Sequence, residues 1–270
     1  MNDFKVGDIV ARKSYNNDVY FTIVGITADD KGNKRYILRG YVHRIMADSD
    51  GEDLVKYDAR MVYNHLKKHV AVSSRYASRN MPVRGLFLDK LRIRTGRILH
   101  IDSSKNYLDI CLKHYRNMGL TAIGKLAPES EQPYIVRKVL QQYNPDILIV
   151  TGHDGIYKNS DKYSIDSYRN SKYYIKSVQE ARKYQSDMNK LCVFAGACQS
   201  YFEEIMKAGA NFASSPGRVL INAIDPALVG EKIAVTDESV TVTPREIASI
   251  TKSGSEGIGG INTKGHAKKR

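Results

Sequence analysis

The chain has 270 residues, of which 42 are Lys or Arg and 29 are Asp or Glu, so its formal net charge is +13 at pH 7. A balance this basic favours polyanionic partners, although the charges are spread along the chain and fit an ordinary solvated surface equally well. Three cysteines without C-x-x-C spacing argue against a disulfide framework and a zinc site. No apolar run approaches the roughly 18 residues that span a bilayer. We therefore expect a cytoplasmic protein with no metal, no cofactor and no membrane partner.

The N-terminal residues 1–57 are predicted to form a small β-barrel of the SH3 or Tudor type. Short β-rich runs occupy residues 6–12, 19–26 and 35–42, and glycine- and aspartate-containing turns separate them. Residues 58–96 are predicted to follow as a helix and a basic linker, because the apolar spacing becomes helical and basic residues then accumulate.

Residues 97–252 alternate between apolar strands and helices, which predicts a doubly wound, mainly parallel sheet with right-handed crossovers. The working residues of such a sheet lie just beyond the carboxyl ends of its strands. Residues 253–270 are rich in glycine and end in basic residues, which predicts a flexible basic tail. The four predicted strands are residues 97–101, 120–124, 146–150 and 191–195.

Two strand ends carry the residues of a nucleophile and its base. The third strand runs into Thr-Gly-His-Asp-Gly, and the fourth runs into Gly-Ala-Cys-Gln-Ser. If these strands are neighbours, His153 and Cys198 converge at one edge of the sheet. A thiol near its free pKa needs an adjacent base, and His153 can take its proton and later protonate a leaving amine. A helix predicted over residues 199–207 would favour the thiolate of Cys198 through its N-terminal dipole.

The glycines beside these two residues predict an oxyanion hole. They let a substrate approach the backbone closely, so the N–H groups of Gly155 and Cys198 are the candidate donors. Either side chain alone fits a turn or core position, and it is their pairing at consecutive strand ends that favours catalysis. Cys111 and Cys192 fit a buried structural role.

This arrangement resembles the caspase-like (clan CD) cysteine peptidases, and Thr-Gly-His-Asp-Gly looks like the Ser-Gly-His-Gly loop of metacaspases. The sequence departs from that loop by placing Asp154 where glycine is usual. Over nearly the whole chain the sequence is similar to the YabG family of sporulation-specific proteases. The segments that carry this similarity are FKVGDIV, PDILIVTGHDG, FAGACQSYFEEIMKAGANFASSP and GIGG.

The resemblance implies a caspase-like fold and a cysteine endopeptidase that cleaves after basic residues, above all Arg. It further implies that the enzyme processes spore-coat and germination proteins during sporulation and can process itself. Its expected partners are therefore protein substrates. Its expected location is the mother-cell compartment of a sporulating bacterium, where the resemblance also allows association with the spore coat.

A pocket for a basic substrate side chain needs a carboxylate partner. Asp102 is the first candidate, because it follows the first strand of the parallel sheet, which should lie beside the third. Asp225 is the second candidate, because segments after the cysteine strand line this pocket in the family resembled. Both residues also fit helix capping, since each precedes a predicted helix.

A non-catalytic protein that binds nucleic acid through the N-terminal barrel is the alternative function. The charge of +13, the 18 tyrosines and the basic residues 84–97 favour it. The lack of an RNP, KH or zinc-finger pattern argues against it.

Overall fold

A computed structural model describes residues 3–28, 32–64 and 93–269. The N-terminal part is an antiparallel sheet of five strands in the order β4-β3-β2-β1-β5, in which the fifth strand returns to pair with the first. Its buried face carries apolar side chains such as Val10, Phe21 and Leu38, as the β-rich runs predict. The strands are β1 (Ile9–Arg12), β2 (Tyr20–Ala28), β3 (Lys34–Gly40), β4 (Met46–Asp50) and β5 (Leu54–Tyr57).

The connection between the two sheets begins with a helix at residue 59, which is described as far as residue 64. The remainder of the predicted helix and most of the predicted basic linker, residues 65–92, lie outside the described residues. The connection ends in β6 (Ile93–Arg94), which pairs with β15 (Lys268–Lys269) near the C-terminus.

The second part of the chain forms a six-stranded sheet in the order β13-β11-β10-β9-β7-β8. All neighbouring pairs are parallel except β11 and β13, so the predicted α/β fold with a mainly parallel sheet is confirmed. Two small strands, β12 (Thr241–Val242) and β14 (Thr263–Lys264), pair separately. The strands of the large sheet are β7 (Ile98–Asp102), β8 (Ala122–Leu126), β9 (Ile147–Thr151), β10 (Cys192–Ala195), β11 (Phe212–Ser214) and β13 (Ile258–Gly260).

Helices cover both faces of this sheet. The side chains of β9 alternate between the two faces, so that Ile147 and Ile149 join one core cluster while Leu148 and Val150 join the other. No helix of the described residues is long and apolar enough to cross a membrane. The helices are α1 (Lys105–Asn117), α2 (Gln132–Tyr143), α3 (Ser171–Tyr184), α4 (Phe202–Lys207), α5 (Asp225–Val235), α6 (Pro244–Ile250) and α7 (Gly254–Gly257).

The prediction of a flexible tail over residues 253–270 is wrong for the residues described up to 269. Strand β13 closes the large sheet through its pairing with β11, and Ile258 is buried within it. Gly260 serves close packing here, because a Cβ atom at this position would lie 2.3 Å from the Phe212 ring. The glycines of this segment therefore mark a tight contact between strands, which composition alone does not distinguish from a linker.

Candidate active site

Three neighbouring strands end at the edge of the sheet where the sequence predicts chemistry. Strand β9 lies between β7 and β10, and both pair with it in parallel. Asp102 is the last residue of β7 and pairs with Thr151, the last residue of β9. His153 and Cys198 follow β9 and β10 within three residues. The strand order thus brings the loops of Asp102, His153 and Cys198 to one edge.

Cys198 is fully buried in the turn that lies between β10 and α4. The helix begins at Phe202 and not at residue 199, so the predicted helix dipole does not start at the thiol. Instead, the Ile221 N–H donates to the Cys198 Sγ at 3.1 Å. Burial raises the pKa of Cys198 to about 12, although the Ile221 N–H and the Arg44 cation act in the opposite direction. The thiol is therefore protonated in this arrangement.

The backbone and ring of His153 are held by a buried carboxylate. The Glu129 Oε1 accepts from the His153 N–H at 2.7 Å and from the Ser103 hydroxyl at 2.5 Å, and it lies 3.8 Å from the His153 Nδ1. The Tyr107 ring packs against the imidazole at a centroid distance of 5.5 Å. Burial lowers the pKa of His153, and the neighbouring Glu129 carboxylate offsets part of this shift. The imidazole at this edge is therefore neutral.

A glycine is required immediately before His153. A Cβ atom at Gly152 would lie 2.5 Å from the Glu129 Oε1, 2.7 Å from the Ser103 Oγ and 2.8 Å from the Tyr174 hydroxyl. Because real Cβ atoms do not approach so closely, the contact between Glu129 and His153 depends on the missing side chain. The Thr-Gly-His motif thus encodes the packing that orients the imidazole.

The Asp154 carboxylate organises the loop that follows His153. It accepts hydrogen bonds from the N–H groups of Gly155 at 2.9 Å and Asn170 at 2.8 Å, and from the hydroxyls of Ser171 at 2.5 Å and Ser200 at 2.9 Å. These bonds join the histidine loop to the start of α3 and to the cysteine loop. The Gly155 N–H, which the sequence suggested as an oxyanion donor, is therefore engaged by the Asp154 side chain.

Two other N–H groups converge on one carbonyl oxygen. The Arg44 oxygen accepts from the Cys198 N–H at 3.2 Å and from the Asp154 N–H at 3.1 Å. Arg44 lies in the tip of the hairpin formed by β3 and β4, which we call the hairpin tip and define as residues 41–45. The two N–H groups thus bind one carbonyl oxygen of this chain, as the donors of an oxyanion hole would. The sequence predicted the Cys198 N–H as one such donor and the Gly155 N–H as the other.

The Arg44 side chain fills a closed pocket beside this carbonyl site. Its Nη1 donates to the Asp102 Oδ2 at 2.7 Å, and its Nη2 donates to the Ala223 oxygen at 3.3 Å. The guanidinium carbon lies 4.6 Å from the centre of the Tyr107 ring, and Nη2 is 3.9 Å from the Cys111 Sγ. These groups form an arginine pocket, defined here by Asp102, Tyr107, Cys111 and Ala223.

Asp102 contacts both the turn before α1 and an arginine of this chain, and its role toward a substrate stays a prediction. Its Oδ1 accepts from the Ser104 N–H at 2.8 Å, which fixes the start of α1. Its Oδ2 accepts from Arg44 and from the Thr151 hydroxyl at 2.8 Å. Burial opposes ionisation, but Arg44 and His100 hold the pKa of Asp102 well below its usual range. Asp102 is therefore an ionised carboxylate with a cation bound to it.

Asp225 lies at the start of α5, and its oxygens point elsewhere. They accept from the Lys252 N–H at 2.8 Å and from the Ser253 N–H at 2.9 Å, and burial raises the pKa of this carboxyl. The structure thus shows Asp225 tying α5 to the turn at residues 252–253, while Arg44 is bound by Asp102. Neither hydrogen bond comes from the backbone of α5, so these two contacts differ from the capping of α5 that the sequence allowed. The role of Asp225 in a substrate pocket stays a prediction.

Two residues of this site were not anticipated from the sequence. Glu129 lies three residues beyond β8, so the rule that strand ends carry function could have marked it. Arg44 belongs to the other sheet and precedes Asp102 by 58 residues. No local pattern around Arg44 indicates such a contact.

Comparisons with known proteins agree with this architecture. A family model described as YabG peptidase U57 matches residues 5–270. The sporulation-specific protease YabG of Bacillus subtilis (strain 168) is 37% identical over 290 residues, an alignment that covers 97% of this chain and 96% of that protein. Both matches span the N-terminal sheet, the parallel sheet and the edge that carries Cys198, His153 and Asp102. The chain therefore belongs to the YabG peptidase U57 family.

Proposed function

We propose that this peptidase is a cysteine endopeptidase that cleaves after arginine, with Cys198 as nucleophile, His153 as proton-transfer residue and Asp102 as the carboxylate that binds the substrate cation. The observation that carries the proposal is the meeting of the Cys198 and Asp154 N–H groups at one carbonyl oxygen. The residue that owns this carbonyl places its guanidinium on Asp102 at 2.7 Å. A carbonyl site and a cation site are thus spaced for a single arginine residue.

The chemistry follows from these positions. As Sγ of Cys198 attacks the substrate carbonyl carbon, its proton passes to His153, so a free thiolate does not have to accumulate. The two N–H groups stabilise the oxyanion, and His153 then protonates the leaving amine. Water attacks the resulting thioester with His153 as base, which releases the arginine carboxylate and restores the thiol. Glu129 keeps the imidazole oriented throughout.

A role in sporulation is supported by the name of the Bacillus subtilis relative, a sporulation-specific protease. We place the activity in the mother-cell compartment, with spore-coat and germination proteins as substrates and self-processing as part of the activity. Membership of a peptidase family favours this function over the nucleic-acid-binding alternative.

Hydrolysis of a fluorogenic peptide with arginine before the scissile bond tests the proposal. Cys198→Ala and His153→Ala in the full chain should each reduce hydrolysis to background with an unchanged circular dichroism spectrum. Cys192→Ala is the matched control, because Cys192 is a buried residue inside β10 and should keep its activity. Full activity of folded Cys198→Ala would overturn the assignment of the nucleophile.

A further inference from the structure

The hairpin tip lies in the proposed active site, where both the backbone carbonyl and the side chain of Arg44 are bound. The Arg44 carbonyl meets the Cys198 and Asp154 N–H groups, and the Arg44 side chain fills the arginine pocket. A substrate cleaved after arginine has to make these two contacts together. Arg44 thus occupies the position of the residue whose carbonyl is attacked.

The residues that follow Arg44 are also bound, by the backbone of the histidine loop. Ile45 forms a parallel bridge with Asp154, and the Met46 N–H donates to the Asp154 oxygen at 2.6 Å. A Cβ atom at Gly155 would lie 2.0 Å from the Met46 oxygen, so glycine at this position makes room for the segment after Arg44. The peptide bond between Arg44 and Ile45 is therefore bound on both sides, as a scissile bond is.

Arg35, another arginine of the same hairpin, is placed differently. The Arg35 side chain lies on the surface of β3, is 34% exposed, and pairs with Asp48 and Asp50. Arg44 is fully buried, and a salt bridge of ordinary surface type does not explain its position. With the hairpin tip in place, Cys198 is 0% and His153 is 1% exposed, so the tip has to move away before another substrate reaches these residues.

We propose that the peptide bond between Arg44 and Ile45 is a processing site that this chain cleaves with its own Cys198, an inference that rests on the proposed function. Sγ of Cys198 bonds to the Arg44 carbonyl carbon and the bond from that carbon to the Ile45 nitrogen breaks. The Ile45 amine takes the thiol proton by way of His153. Water then hydrolyses the thioester, which leaves a carboxylate at Arg44 and a free thiol at Cys198.

Intact-mass measurement of the purified full chain over time tests this proposal. The expected products are residues 1–44 and 45–270, formed at a rate that does not change on hundredfold dilution, because the bond and the site belong to one molecule. Cys198→Ala should stay whole. Arg35→Gln, a surface arginine of the same hairpin, should be cleaved as the unchanged protein is.

Two variants address the bond itself. Arg44→Gln should give no cleavage at this position, but it leaves Asp102 buried without its cation and can unfold the protein. Ile45→Pro keeps Arg44 and replaces the leaving amine by a proline nitrogen, so this variant should stay whole while its circular dichroism spectrum matches that of the unchanged protein. Products that begin at residue 45 in Cys198→Ala, or that form at the same rate in Ile45→Pro, would overturn the proposal.

The two proposals fail in distinguishable ways. A full chain that hydrolyses the arginine peptide but stays whole, or is cut only at other bonds, overturns the processing site and leaves the proposed function standing. A full chain that neither hydrolyses the peptide nor cuts itself overturns both. Cleavage between Arg44 and Ile45 that slows in proportion to dilution overturns the intramolecular reaction.

Discussion

Two buried carboxylates at the same edge of the sheet differ in what surrounds them. Asp102, in the arginine pocket, is fully buried and binds the Arg44 guanidinium at 2.7 Å. Asp154, in the histidine loop, is equally buried, but its hydrogen-bond donors among the described residues are neutral N–H and O–H groups. The pKa of Asp102 lies well below its usual range, whereas burial raises the pKa of Asp154 to about 6.

The difference shows that burial alone does not decide the state of a carboxyl group. Desolvation opposes the charge of both residues, and at Asp102 the Arg44 cation together with the hydrogen bond from His100 outweighs it. The Asp102 region is therefore suited to binding a guanidinium, and it is left with an uncompensated charge when Arg44 departs. The Asp154 region is suited to holding the loops of His153 and Cys198 together through neutral hydrogen bonds.

The largest expected effect comes from removing the charge of the arginine pocket. Asp102→Asn should lower kcat/KM toward an arginine peptide by about 4 kcal/mol, close to a thousandfold, because the substrate guanidinium is then buried without a carboxylate. Steady-state kinetics on matched arginine and leucine peptides measures the loss of preference. Asp225→Asn, a change at a buried carboxylate that binds backbone N–H groups, should keep the preference for arginine. Equal preference for arginine in both variants would remove Asp102 from the pocket.

A second effect, on the pH dependence of stability, distinguishes Asp154 from Asp102. Asp154 has its pKa raised from 3.8 to about 6, so the folded chain holds this proton after the unfolded chain has lost it. The contribution of Asp154 to the free energy of unfolding therefore decreases as pH rises from about 4 to about 6 and is constant above. The total decrease is about 3 kcal/mol, because one pKa unit corresponds to about 1.4 kcal/mol. Urea unfolding of Cys198→Ala with and without Asp154→Asn should reveal this pH-dependent difference. Parallel stability curves for the two proteins would contradict the raised pKa.

The smallest expected effect concerns the orientation of His153. Glu129→Gln keeps the size of the side chain and removes the charge beside the His153 Nδ1, which lies 3.8 Å away. We expect kcat to fall about tenfold, which is about 1.4 kcal/mol, with little change in KM, because the imidazolium formed during proton transfer loses its partner. The kinetic pKa of the base should also fall. A change in KM alone would assign Glu129 to substrate binding.

The sequence predicted the parts of this site that depend on strand ends. Asp102 ends an apolar strand, His153 and Cys198 each follow one, and parallel strands bring such ends to one edge. Their catalytic and binding roles stay predictions. The sequence also predicted the α/β fold, because buried parallel strands are apolar throughout and alternate with amphipathic helices.

Other features depend on contacts that a local pattern does not contain. Arg44 reaches Asp102 from the tip of a hairpin in a different sheet, so its role needs the packing of the two sheets. The N–H group that binds the Arg44 oxygen belongs to Asp154, whereas the Gly155 N–H donates to the Asp154 side chain. The strand at Ile258–Gly260 pairs with β11 through glycines that composition assigns to a linker.

The identity of the nucleophile is tested most directly by an affinity label. A peptidyl chloromethyl ketone that ends in arginine alkylates the active-site thiol of a cysteine peptidase, because the sulfur displaces chloride from the chloromethyl carbon next to the bound carbonyl group. Treatment of the full chain, followed by digestion and mass spectrometry, should place one adduct on Cys198, and Asp102→Asn should slow its formation. An adduct on Cys111 or Cys192, or continued hydrolysis by a chain fully labelled at Cys198, would contradict the proposed mechanism.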